Sequence, residues 1–318
     1  MKNVLPLALT TLALGSLAAA QNFPTKGLNF IVPWSPGGSA DLTSRALASA
    51  MSRPLGENVT VVSRTGGGGA IGHLAISQAR PTGYDIGMGT LEMVIPAWSK
   101  QSGLTIDNFT PISLVSVNPA AITVAKNSPF KTVGELVAFV KANPGKLKAS
   151  GTAKGGSWDM ARAGFLQTIG VKDSALPWVP AQGSAAAIQE LLAGGVDVIT
   201  VSASEVNNLL KSGEVRTLAV MADRRLPDHR DIPTLRESGI NWSFGSFLSV
   251  VGPRRLSADV VTRIDAAVKA GMQEPEFRKF MTNAGFGMNY LNPAQFRLFL
   301  NQQAAKMRQV QAFIDADK

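Results

Sequence analysis

No cysteine occurs in the 318 residues. This excludes disulfides, thiol nucleophiles, thiolate metal sites and a lipid anchor on a processed cysteine. An oxidising compartment stays open, because a chain of this length builds a core without crosslinks. Histidine is nearly as scarce. His73 and His229 stand far apart with no His-x-x-x-His pair, so a metal centre is not expected. There is no Gly-x-Ser-x-Gly elbow and no Gly-Lys-Ser/Thr phosphate loop, which removes the usual esterase nucleophile and the nucleotide cradle. Beyond residue 20 no apolar run approaches the length of a membrane span.

The one long apolar run is at the start. Lys2 opens it, residues 4–17 carry no acid, and Ala18-Ala19-Ala20 supplies the small residues that precede cleavage. Nothing in it forms a one-sided stripe, as a buried helix would need. Residues 1–20 are read as a signal peptide, and the mature chain as soluble outside the cytoplasm. Lys2 is the only charged side chain in the leader, so its removal takes the formal charge from +9 to +8. Such a balance favours anionic partners: a small acid, a membrane surface or nucleic acid. The Lys and Arg residues are scattered, and no nucleic-acid-binding module is visible.

Strand and helix patterns alternate along the chain. Residues 28–32 read as a strand, residues 40–52 as a helix with Ala46, Leu47, Ala50 and Met51 on one face, and residues 59–62 as the next strand. A helix over 70–79 and a strand over 85–88 follow. This alternation indicates an α/β domain with mainly parallel strands. A second set starts near residue 122. Thr132 and Glu135 form a capping-box pair, and helices over 158–169 and 185–192 separate short strands near 148–150, 176–179, 196–201 and 218–221. Two comparable halves are expected, without a clean sequence repeat. The tail is helical, with caps at Ser257 and at Asn292-Pro293.

The chemistry lies in the glycine turns. Pro33-Trp34-Ser35-Pro36-Gly37-Gly38-Ser39 joins a strand to a helix, where free backbone N–H groups point at an anion. Ser39 is expected to cap the helix or to donate to a carboxylate. Asp41 would repel an acidic ligand, so its expected role is to support the helix start and tie down the turn. Gly151-Thr152-Ala153-Lys154-Gly155-Gly156-Ser157-Trp158 is a second cradle, with Lys154 either on its rim or in water. Trp34 and Trp158 serve equally as ligand walls or as core. Gln182-Gly183-Ser184 is a third polar junction.

Two patterns mislead. Gly67-x-Gly69-x-x-Gly72 resembles a dinucleotide fingerprint with Glu92 20 residues beyond, but residues 63–66 separate it from the strand. Ser128-x-x-Lys131 fits an acyl-serine enzyme, yet the supporting Lys-Thr-Gly element is missing. His73 and Asp41 pair on paper only, since no nucleophile completes a triad.

The ordered series of motifs resembles the tripartite tricarboxylate transporter substrate-binding proteins, the Bug family of periplasmic receptors, over residues 23–318. Phe23-Pro24 matches the family's mature start, and residues 32–41 match its most specific motif, with Trp34 in place of phenylalanine. Arg64 through Gly69 follows, with Thr65 for the usual proline. Gly83-Tyr84, Gly89-Thr90, Gly151-Thr152, Val179-Pro180, Gln182-Gly183-Ser184, Gly195-Val196-Asp197 and Pro233-Thr234-x-x-x-x-Gly239 continue it in order.

The resemblance implies a type II periplasmic-binding-protein fold: two Rossmann-like α/β lobes, residues 21–123 with 246–318 and residues 124–245, around an interlobe cleft. It implies a receptor rather than an enzyme, taking a small organic mono-, di- or tricarboxylate to integral membrane subunits of a tripartite transporter. Carried over by position, Trp34, Ser35, Pro36, Gly37, Gly38 and Ser39 hold one carboxylate. Thr90, Thr152, Ser157, Gln182 and Gly183 complete the pocket, with Ser202 and Ala203 at its second-lobe wall. Glu92 and Trp158 depart from an easy anion site. Turned inward, Glu92 would demand an amine, a hydroxyl or a water, or an arginine to neutralise it. A sensing receptor with a signalling partner and an exported hydrolase are the alternatives.

Overall fold

The computed structural model describes residues 23–181 and 183–317; the leader and Gln182 lie outside the described residues. Among the described residues, ten strands form two five-stranded sheets of matching topology. The first has the order β2 (Val59–Ser63), β1 (Leu28–Val32), β3 (Asp85–Thr90), β10 (Gly245–Pro253), β4 (Phe109–Pro119). The second runs β7 (Trp178–Val179), β6 (Ala149–Ser150), β8 (Val198–Ile199), β5 (Ala121–Ala125), β9 (Val215–Val220). In each, three strands are parallel, and the fourth in the row lies antiparallel to both its neighbours. Those fourth strands, β5 and β10, are the segments by which the chain enters each half from the other.

The first crossing lies between Pro119 and Ala121, so residues 121–123 belong to the second sheet rather than the first half. The return to β10 begins at Gly245, next to the expected 245/246 boundary.

The helices are α1 (Ser39–Leu55), α2 (Ala70–Ser77), α3 (Pro96–Ser102), α4 (Val133–Ala142), α5 (Ser157–Ile169), α6 (Ser184–Leu192), α7 (Asn207–Ser212), α8 (Ala258–Gly271), α9 (Pro275–Asn283) and α10 (Pro293–Asp315). The predicted cap at Thr132 forms with both its hydrogen bonds, as does that at Asn292. One apolar core packs α1, α8 and α9 on the first sheet through Leu47, Met51, Val268 and Phe277. The other face of that sheet carries α10, whose Phe296, Leu300 and Met307 join a core continuous with the second half. Helix α10 packs on both β4 and α5, and Ser174 of the second half donates its N–H to Asp317. The expected tail of the first lobe therefore contacts both.

Among the described residues no helix is long and apolar enough to cross a membrane.

Candidate functional site

In open α/β sheets, ligands meet the loops beyond the carboxyl ends of the parallel strands. Here β1, β3, β6, β7 and β8 all deliver their following turns to one cavity of about 560 Å³ between the two sheets. That volume suits a small organic molecule.

Three helices begin at this cavity, each capped by a glycine without a side-chain bond: Gly38 before α1, Gly156 before α5 and Gly183 before α6. Their first-turn N–H groups have no partner within the helix and carry the positive end of its dipole. Ser39 is the first helical residue, not the cap, which leaves its hydroxyl for the second expected role.

Two of these turns are copies of one device. Gly37-Gly38-Ser39-Ala40-Asp41 and Gly155-Gly156-Ser157-Trp158-Asp159 share the pattern Gly-Gly-Ser-x-Asp. In each, the first glycine takes a left-handed conformation, φ +86° at Gly37 and +75° at Gly155, which side-chain-bearing residues rarely adopt. Its N–H donates to the aspartate, at 3.0 Å to Asp41 Oδ2 and 2.8 Å to Asp159 Oδ2. An arginine then grips each acid. Arg45 donates through Nε at 3.1 Å and pairs through Nη2 at 2.9 Å with Asp41. Arg162 donates to Asp159 Oδ1 at 3.0 and 2.6 Å and to Asp173 Oδ1 at 2.8 Å, with two backbone carbonyls taking its remaining N–H groups. Burial alone would raise the Asp41 carboxyl; the bonds from Arg45 and Gly37 outweigh it and hold the group below its ordinary value. The acids thus face backward onto their own turns, leaving the cavity side to N–H groups.

Of the expected residues, 34–39, Thr90, Glu92, Thr152, Ser157, Trp158 and Gly183 line the cavity. Ser202 and Ala203 do not: both are buried behind the wall, and the Ser202 hydroxyl donates to Glu205 Oε2 at 2.8 Å. The short helical turn Ser204–Val206 puts Ser204 and Glu205 forward in their place. Gln182 lies outside the described residues. Ser184, Ser204, Glu205 and Phe286 are lining residues that the sequence reading missed. Ser184 alone carried a signal, as part of the third polar junction.

Glu92 points inward and crosses the seam between the sheets. Its Oε2 accepts from the Thr90 hydroxyl and its Oε1 from the Ser157 hydroxyl, both at 2.6 Å. Hydroxyls, not an arginine, are its partners. Glu205 accepts from the Ser202 N–H and hydroxyl and from Ser184, and burial raises its carboxyl against those bonds. Trp158 Nε1 donates to Ser184 Oγ at 2.9 Å, fixing the indole as a wall. The Thr152 hydroxyl is buried with no partner among the described residues.

A second cavity of about 540 Å³ adjoins the first, sharing Trp34, Ser35, Glu92, Thr152 and Gly183. The glycine run 66–69 lines it, pinned by Trp98 Nε1 donating to the Gly68 carbonyl at 3.0 Å. Gly72 of the apparent fingerprint serves packing, since a Cβ there would sit 2.5 Å from Pro33 Cα. His73 is buried, bonded through Nδ1 to the Gly69 carbonyl at 2.8 Å, and desolvation lowers its pKa to about 4. It does not pair with Asp41. The Ser128 hydroxyl accepts the Phe130 N–H in the loop before the Thr132 cap.

Residues 43–315 match the family described as tripartite tricarboxylate transporter family receptor. The chain belongs to that family. A UPF0065 protein of Bordetella pertussis is 28% identical over 273 residues, 85% of this chain and 84% of its own length. The structure of the periplasmic binding protein BugD superposes with a TM-score of 0.78 at 28% identity, covering 92% of this chain and 98% of BugD. The fold is shared more widely. MatC from Rhodopseudomonas palustris, with bound malate, has a TM-score of 0.77 at 22% identity over 91% of this chain and 99% of its own. A second R. palustris protein, with adipate, has 0.80 at 23% over 92% and 98%. The receptor fold expected from the sequence is present, and the family is one of solute-binding proteins rather than enzymes.

Proposed function

We propose that the cleft captures a small organic carboxylate in the periplasm and delivers it to the membrane subunits of a tripartite tricarboxylate-type transporter. The observation that carries this reading is the convergence of three glycine-capped helix N-termini on one cavity. Main-chain N–H groups bind a carboxylate without a long basic side chain to order or desolvate. Residues 34–39 receive the acid group, Thr152 has a free hydroxyl to offer, and the indoles of Trp34 and Trp158 cover the carbon skeleton. The malate and adipate complexes of proteins with this fold support the ligand class.

Capture needs no bond chemistry. A ligand touching turns from both lobes binds their approximated arrangement better than the separated one, so it shifts the population toward closure. The membrane subunits then read the closed form. Delivery to them is inferred from family membership.

The test is calorimetric titration of residues 21–318 with a panel of organic acids and a neutral sugar, with the ligands analysed afterwards. Saturable binding of an acid that is recovered unchanged is the expected result. Binding of the sugar alone, or conversion of any compound, overturns the reading.

A further inference from the structure

We propose that the ligand carries a protonated amine besides its carboxylate, and that Glu92 and Glu205 select for it. This rests on the carboxylate reading of the cleft and narrows it.

At two of the three helix termini the first hydroxyl is already committed to an acid of the protein. Ser157, the first residue of α5, donates to Glu92, and Ser184, the first residue of α6, donates to Glu205. Only α1 has no carboxylate before it, because Asp41 is turned back onto Gly37 and Arg45. One free terminus accepts one carboxylate.

Beyond it the cavity is acidic. Glu92 and Glu205 both line it, and among the described lining residues there is no Lys, Arg or His. Lys154 is solvent-exposed, lines only the adjoining cavity and forms no ion pair with Glu92. A second ligand carboxylate would meet two like charges in a partly desolvated site, a strong ground for rejection. An ammonium finds attraction there. The hydroxyl partners of the two glutamates leave carboxylate lone pairs free to accept its N–H groups. They also hold both acids in place before the ligand arrives. Trp34 and Trp158 add aromatic surface that tolerates a cation.

The test titrates residues 21–318 with the common α-amino acids, with 4-aminobutanoate and 5-aminopentanoate, and with the matched butanoate, pentanoate, succinate and glutarate. At least one aminocarboxylate should bind saturably. Its des-amino and diacid counterparts should bind roughly tenfold or more weakly. Glu92→Gln and Glu205→Gln, checked for unchanged circular dichroism, should each cut that preference by about tenfold. A diacid binding as tightly as its amino counterpart overturns the proposal, as does the absence of saturable binding by every aminocarboxylate. If diacids bind in that case, the carboxylate reading survives alone. If no acid binds, both fail.

Discussion

Asp41 and Asp159 perform the same task in different surroundings, and the difference sets what each is worth. Arg45 is 52% exposed, whereas Arg162 is 1% exposed. Removing Asp159 strips a buried guanidinium of one of its two acids, a loss on the order of 3 kcal/mol. Removing Asp41 leaves a solvated arginine and one unmade backbone bond, on the order of 1 kcal/mol. Urea unfolding should rank Asp159→Ala well below Asp41→Ala in stability. His73 adds a pH dependence. Its folded pKa of about 4 lies below the unfolded 6.5, so between those values the unfolded chain takes up a proton that the folded chain refuses. Stability is full above pH 6.5 and falls toward pH 4, by up to about 3 kcal/mol. Carboxylates titrate near the lower end, so the difference between wild type and His73→Gln isolates the histidine. Unfolding at pH 4.5 and 7 should show a smaller loss in the variant. The sequence marked this residue only as one of two histidines and a paper partner for Asp41; its burial is a property of the fold.

At the scale of elements, the legible parts were those with local chemistry. The Thr132–Glu135 box is one, and Thr132→Ala should lower stability by about 1 kcal/mol in the same unfolding measurement. The strand-to-helix turns are another, since Gly-Gly-Ser announces its own geometry. The repeated Gly-Gly-Ser-x-Asp was visible but too short to stand out until both copies were seen at the same cavity. Strands β4 and β10 were not legible. Pro111, Ser113, Ser116 and Ser249 interrupt their apolar alternation, and distant partners satisfy the buried hydroxyls: Asp265 takes Ser113, and the Gly89 carbonyl takes Ser249. The wall formed by Ser204 and Glu205 was missed by only one or two residues. A single helical turn after β8 decides which side chains face inward, and short segments do not signal such a turn.

The whole molecule is two sheets of one topology, joined by two crossings and by α10, with the cleft where the parallel strands end. The bond from Ser157 to Glu92 spans that cleft and exists only when the lobes are together. Ser157→Ala should therefore lower the closed fraction and weaken ligand affinity by up to about tenfold, read as a smaller ligand-induced change in the fluorescence of Trp34 and Trp158. The central claim is that converging main-chain N–H groups hold an ionised carboxylate. The most direct measurement is a calorimetric comparison of a bound acid with its primary amide, which keeps the shape and removes the charge. The acid should bind saturably and the amide at least roughly a hundredfold more weakly. Equal affinity for the amide would contradict the claim.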